Sequence, residues 1–179
     1  MAAMITTQQA RKLALAAMLS AAAVLCSHLV SIPAGFARMF PIQHAVNVAA
    51  AVMLGPAYAA GQAFVVSAAR NLLGTGTLLA FPGSLFGAVC AGLLYKAGKH
   101  VWWAAAGEWL GSGIAGSLAA YPVARYVLGH EATLFGFMPG FLASSLIGAI
   151  VGVLLIKTLR KHKRLGGSID ESSSYNRRF

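Results

Sequence analysis

From Leu13 to Ile156 the chain is a succession of apolar runs in which charged side chains are rare. A backbone surrounded by hydrocarbon has no water to satisfy its N–H and C=O groups, so only helices and closed barrels can cross a membrane. The overall content, 58% hydrophobic and 10% charged with a mean hydropathy of +0.71, lies far from the roughly 45–50% apolar and 25% charged residues of soluble domains. The chain therefore reads as an integral membrane protein. A spanning helix needs about 20 mostly apolar residues, so the stretch from Arg11 to Lys161 accommodates about six, without a separate soluble domain.

The formal net charge of +10 would suit nucleic acid only if the basic residues alternated with stacking aromatics on a soluble face. Instead they fall at Arg11 and Lys12, at Lys96 and Lys99, and from Lys157 to Arg178, leaving Arg38, Arg70 and Arg125 elsewhere. By the positive-inside rule this pattern puts both termini in the cytoplasm and the three remaining arginines toward the outside. No nucleic-acid partner is expected. A transmembrane domain over 7–160 is followed by a cytoplasmic tail over 161–179, first basic and then Ser-rich, whose composition from Gly166 predicts disorder. The first apolar run follows a basic pair but lacks an Ala-x-Ala site at its far end, which predicts a retained helix rather than a signal peptide.

The first helix is expected over about Thr7 to Val30, with Ala10, Ala14, Ala17 and Ala21 forming a small-residue stripe. Such a stripe serves either internal packing or the docking of another subunit. Pro41 and Pro56 favour the first turns of helices 2 and 3, and Gly55-Pro56 joins them as antiparallel neighbours. Gly74 to Gly83 reads as a glycine-rich loop ending in a Pro-Gly stop, with helix 4 from about Ser84. That loop has no Lys-Ser/Thr after its last glycine and no preceding strand, which excludes a P-loop. Helix 5 is expected over Val101 to Val127 and helix 6 over Phe137 to Ile156.

Polar side chains concentrate in one region of this apolar chain, and intramembrane polar groups need partners or a cavity. Gln43, His44 and Asn47 share one side of the first two turns of helix 2. Ser67, Arg70 and Asn71 share a face of helix 3, followed by Thr75 and Thr77 in the glycine loop. Glu108 is the acidic residue predicted within a span, serving as a structural pair, a proton site or a substrate contact. Arg38, Arg70 and Arg125 either snorkel to headgroups or line a pocket rim. Tyr58, Trp109 and Tyr121 either stack on a planar ligand or pack. The scattered histidines lack metal-ligand spacing, and no nucleophilic triad is evident, so neither a metal, a cofactor nor catalytic residues are expected.

Phe40-Pro41-Ile42-Gln43-His44-Ala45-Val46-Asn47-Val48, then Leu54-Gly55-Pro56-Ala57-Tyr58, then Arg70-Asn71-Leu72-Leu73-Gly74-Thr75-Gly76-Thr77, then Ala80-Phe81-Pro82-Gly83-Ser84 closely resemble the ThiW family. These are substrate-binding S components of energy-coupling factor (ECF) transporters, associated with uptake of the thiazole precursor of thiamine. The resemblance spans roughly Arg11 to Lys157. It implies an all-α, six-helix S component in the cell membrane that captures a solute, hydroxyethylthiazole by family association. Its partners would be a transmembrane coupling subunit and two cytoplasmic ATPases, which carry the ATP hydrolysis. It further implies that Gln43, His44, Asn47, Arg70, Asn71, Thr75, Thr77 and Glu108 bind the solute, and that Ala10, Ala14, Ala17 and Ala21 dock the coupling subunit. A stand-alone carrier using Glu108 as a proton site is the alternative; a membrane-embedded enzyme, a third class, predicts turnover of the ligand.

Overall fold

The computed structural model describes residues 6–29, 31–34 and 37–175, with the backbone alone for 28–29, 32–34, 37–39 and 163–175. The described residues form an α-helical bundle with one short hairpin. Helix α1 (Thr7–Leu29) leads into antiparallel strands β1 (Ile32–Ala34) and β2 (Ala37–Met39), paired Ile32 to Met39. Helices α2 (Pro41–Leu54), α3 (Pro56–Leu72) and α4 (Ala80–Gly98) follow. Next come α5 (Val101–Leu110), a π-helical segment π1 (Gly111–Gly116), α6 (Ser117–Pro122), a second π-helical segment π2 (Val123–Val127), and α7 (Met138–Tyr175). The helical backbone of α7 runs on through the Ser-rich stretch for which composition predicts disorder.

Among the described residues three helical segments are long and apolar enough to cross a membrane: Thr7–Ser27, Ala80–Gly98 and Met138–His162. Helix α2 is different. Its 14 residues reach only about 21 Å, yet nearly its whole circumference is buried, polar Gln43, His44 and Asn47 included. It packs on α7, α3, α4 and α1. The Phe40 N–H donates to Ser144 Oγ at 3.1 Å, so α2 begins about 9 Å along α7 from that helix's start.

Prolines and glycines set the helix ends and the close crossings. Pro41 and Pro56 open α2 and α3, where a missing N–H costs nothing. Gly55 turns the chain between them at φ +92°, a conformation costly for side chains bearing Cβ. Helix α4 starts at Ala80 rather than near Ser84, because Pro82 lies in its first turn and is tolerated there. From Val101 to Val127 the helical dihedrals continue without a break. Pro122 cannot donate into the ladder, and wider π hydrogen bonding follows it directly.

Basic and aromatic side chains meet at one end of the bundle. Lys12 stands over the Tyr58 ring at 5.7 Å, Lys157 over Trp102 at 5.0 Å, and Arg160 Nη2 donates to the Tyr95 hydroxyl at 3.1 Å. Amphipathic aromatics beside cations are the composition of a membrane interface. Tyr58 therefore belongs to the end of α3 opposite Arg70.

A Cβ on Gly107 would lie 2.5 Å from the Cys90 carbonyl oxygen, whereas one on Gly61 meets nothing within 4 Å. Gly107→Ala should thus destabilise the bundle by about 1–3 kcal/mol through overpacking. Gly61→Ala should leave stability unchanged or raise it by up to ~1 kcal/mol through helix propensity. Thermal unfolding in detergent, followed by tryptophan fluorescence, checks both.

Candidate functional site

A polar cluster lies where α2, α3, α4 and the α5–π1 junction meet. Asn47, Arg70 and Glu108 are each 0% exposed and Gln43 3%, in a bundle whose remaining core is mostly Ala and Val. Helical periodicity builds it. His44 and Asn47 are three apart on α2, Glu108 and Ser112 four apart across α5 and π1, and each pair shares a face.

Those two faces meet on one atom. Glu108 Oε1 lies 2.7 Å from His44 Nδ1 and accepts from Asn47 Nδ2 at 3.0 Å and from Ser112 Oγ at 3.0 Å. The 2.7 Å contact is an ion pair when His44 is protonated, with Nδ1 then donating to the carboxylate. Asn47 Nδ2 also reaches the Ser84 hydroxyl at 3.1 Å and the Ser84 carbonyl at 3.3 Å. Helix α4 can lie this close because residue 87 is glycine: a Cβ there would sit 2.6 Å from Glu108 Oε1.

Gln43, one residue from His44, is turned by about 100° and faces α3. Its Nε2 donates to Ser67 Oγ at 3.1 Å, while its Oε1 accepts from Arg70 Nη1. Ser67 Oγ in turn donates to the Ala80 carbonyl at 3.2 Å. Arg70 Nη2 reaches the Thr75 carbonyl at 3.4 Å, and Arg70 Cζ stands over the Phe40 ring, 3.5 Å from its centroid. Arg70 is fully enclosed, so the snorkelling reading fails for it. Arg125 is exposed, and the Arg38 side chain falls outside the described residues.

The three remaining predicted residues shape the loop after α3. Asn71 Nδ2 donates to the carbonyls of Ser67 and Thr77, at 2.8 and 3.0 Å. The Thr75 hydroxyl and the Thr75 and Gly76 N–H groups all return to the Arg70 carbonyl. These amides cap α3 and offer no phosphate cradle. Thr77 is exposed and joins through its carbonyl alone.

Among the described residues several buried side-chain atoms have no partner: Asn47 Oδ1, Glu108 Oε2 and Arg70 Nε in the cluster, both side-chain atoms of Gln62 on α3, and Trp109 Nε1 on α5. Buried polar atoms without partners are costly, so this is where a ligand's polar atoms gain most. Ser84, Ser112 and Phe40 join the cluster without having been expected as site residues. Only Ser112, four residues after Glu108, carried a sequence signal. A surface depression of about 560 Å³, lined by Arg125, Tyr126 and residues 129–133, lies apart and contains none of the expected site residues.

Glu108→Leu removes the acceptor shared by His44, Asn47 and Ser112, leaving Asn47 only its bonds to Ser84, and should destabilise the protein by about 3–5 kcal/mol. Glu108→Gln keeps an acceptor oxygen and should lose clearly less. Thermal unfolding of both variants in detergent distinguishes them.

Residues 13–162 match the family ThiW, described as thiamine-precursor transporter protein. Comparison with curated proteins and with solved structures gives no match. The matched stretch contains the whole polar cluster, the candidate spans Ala80–Gly98 and Met138–His162, and most of Thr7–Ser27. The chain belongs to the ThiW family of thiamine-precursor transporters, and is a membrane protein that handles a small-molecule solute.

Proposed function

We propose that this protein is the S component of an ECF transporter, a six-span bundle in the cell membrane with both termini cytoplasmic. It captures the thiazole moiety of thiamine, hydroxyethylthiazole, from outside. The observation that carries this reading is the buried cluster on α2, α3 and α5: it is closed on itself, yet keeps Asn47 Oδ1 and Glu108 Oε2 unpartnered. A solute hydroxyl can donate to either atom. Gln43, His44, Asn47, Arg70 and Glu108 hold the solute, while Asn71, Thr75 and Thr77 set the loop that covers it. In this role the chain performs no chemistry on the ligand; ATP hydrolysis belongs to two cytoplasmic ATPases, reached through a transmembrane coupling subunit.

Two further observations support the assembly and its orientation. Ala10, Ala14, Ala17 and Ala21 are all exposed on α1, whereas Ser20, Ala23 and Ser27 turn inward. The alanine stripe is therefore not the packing face within this bundle, and it is free to meet a partner helix closely. The basic and aromatic side chains gathered at one end of the bundle fit a cytoplasmic interface, as the positive-inside pattern requires.

The buried His44–Glu108 contact favours a second reading, a stand-alone proton-coupled carrier, because such a pair can hold a proton. Uptake in cells separates the two. Depleting the ATPase subunits abolishes uptake by an S component, whereas a protonophore with ATP maintained abolishes it for the carrier.

Asn47→Ala should weaken thiazole binding by about tenfold, the worth of one good hydrogen bond, with the protein still folded. Unchanged affinity in a fluorescence titration would remove Asn47 from the pocket. Ala14→Leu with Ala17→Leu should leave binding by the isolated chain intact and abolish uptake. Retained uptake would remove the stripe from the docking surface.

A further inference from the structure

Resting on the solute-capture reading, we propose that the captured ligand carries an anionic group, a phosphate monoester, and that Arg70 receives it through its Nε–Nη2 edge. Arg70 is 0% exposed, and a guanidinium withdrawn from water is costly unless an anion or a full set of acceptors meets it. Its described partners are all neutral: Gln43 Oε1, the Thr75 carbonyl and the Phe40 ring.

The acidic residues of the chain leave this cation uncompensated. Glu108 spends its one bonded oxygen on His44, Asn47 and Ser112, and the His44–Glu108 contact is the ion pair found among the described residues. Glu131 is exposed in the stretch after π2, and Asp170 and Glu171 belong to the C-terminal segment. No anionic partner among the described residues thus meets Arg70, and an incoming anion supplies one.

The geometry points to a side-on oxyanion. Nη1 is committed to Gln43, but Nε has no partner and Nη2 is bonded only at 3.4 Å. The Nε–H and Nη2–H groups are parallel and match two oxygens of one phosphate or carboxylate. Phe40 stands against the guanidinium, with Cζ 3.5 Å from the ring centroid. A neutral thiazole alcohol leaves the edge empty; its phosphate ester fills it.

The test uses the full chain in a phosphate-free detergent, titrated with hydroxyethylthiazole, its monophosphate and inorganic phosphate, and separately with phosphatidylglycerol. The monophosphate should bind on the order of tenfold to a hundredfold more tightly than the alcohol, as for hydrogen bonds to a charged group. Arg70→Gln should erase that preference, so that monophosphate and alcohol bind alike. Arg70→Lys, which keeps the charge but not the fork, should retain part of it, and serves if the glutamine variant does not fold. Equal binding of alcohol and ester by the unaltered chain would overturn the inference and leave the solute reading standing. So would an equal loss of both ligands in Arg70→Gln. Binding of neither would overturn the solute reading itself. Stabilisation by phosphatidylglycerol through Arg70, without any response to the monophosphate, would assign the edge to a lipid phosphate and overturn the inference.

Discussion

One carboxylate oxygen, Glu108 Oε1, holds the centre of this protein together. It joins α2 to α5 and π1 through His44, Asn47 and Ser112, and through Asn47 it reaches the Ser84 carbonyl and hydroxyl on α4. Helices in lipid gain little from the hydrophobic effect against one another, so packing and interhelical hydrogen bonds carry the association. A carboxylate in hydrocarbon has to be met by donors. Here the donors come from α2 as well as from the next turn of its own helical run, which fixes the position of α2 against that run as well as its stability. The other carboxylate oxygen is left over, so the same residue can be a structural anchor and a ligand contact.

That convergence is possible because the backbones approach closely. Gly87 leaves room for Glu108 and Ser112, and Gly148 leaves room for the Pro41 carbonyl and His44. The π-helical segment begins at Gly111, one residue before Ser112, and π bonding is a frequent local adjustment at functional sites. Helix α2 is too short to cross alone, but it starts some way down α7, with the β1–β2 hairpin before it. Its first turn, carrying Gln43 and His44, therefore lies within the bundle instead of at the surface. This depth is what makes the cluster dry and its unpartnered atoms consequential.

Much of this was legible in the sequence, and the parts that were not share a physical reason. Helix starts at Pro41 and Pro56 follow from proline's missing N–H, and the shared faces of His44 with Asn47 and of Ser67 with Arg70 follow from 3.6-residue periodicity. Pro82-Gly83 reads as a stop but lies inside α4, since a proline is tolerated equally before and within a first turn. The π segments leave no periodic trace beyond Pro122. Glu108's partner was invisible because it lies 64 residues away on another helix. The burial of Arg70 was hidden in the same way: position near a helix end suggests snorkelling, and only the tertiary fold places Phe40 and the Thr75 carbonyl around it. For the alanine stripe, spacing gives the face but not its direction, which the fold turns outward.

The central claim is that the chain by itself captures an intact solute. Its most direct test is calorimetric titration of the purified chain, free of any ATPase or coupling subunit, with thiazole-bearing thiamine precursors, followed by chemical identification of the recovered ligand. Saturable binding of one ligand per chain, with the ligand recovered unchanged, is the predicted result. Absence of binding without partner subunits, or recovery of a chemically altered ligand, would contradict the account.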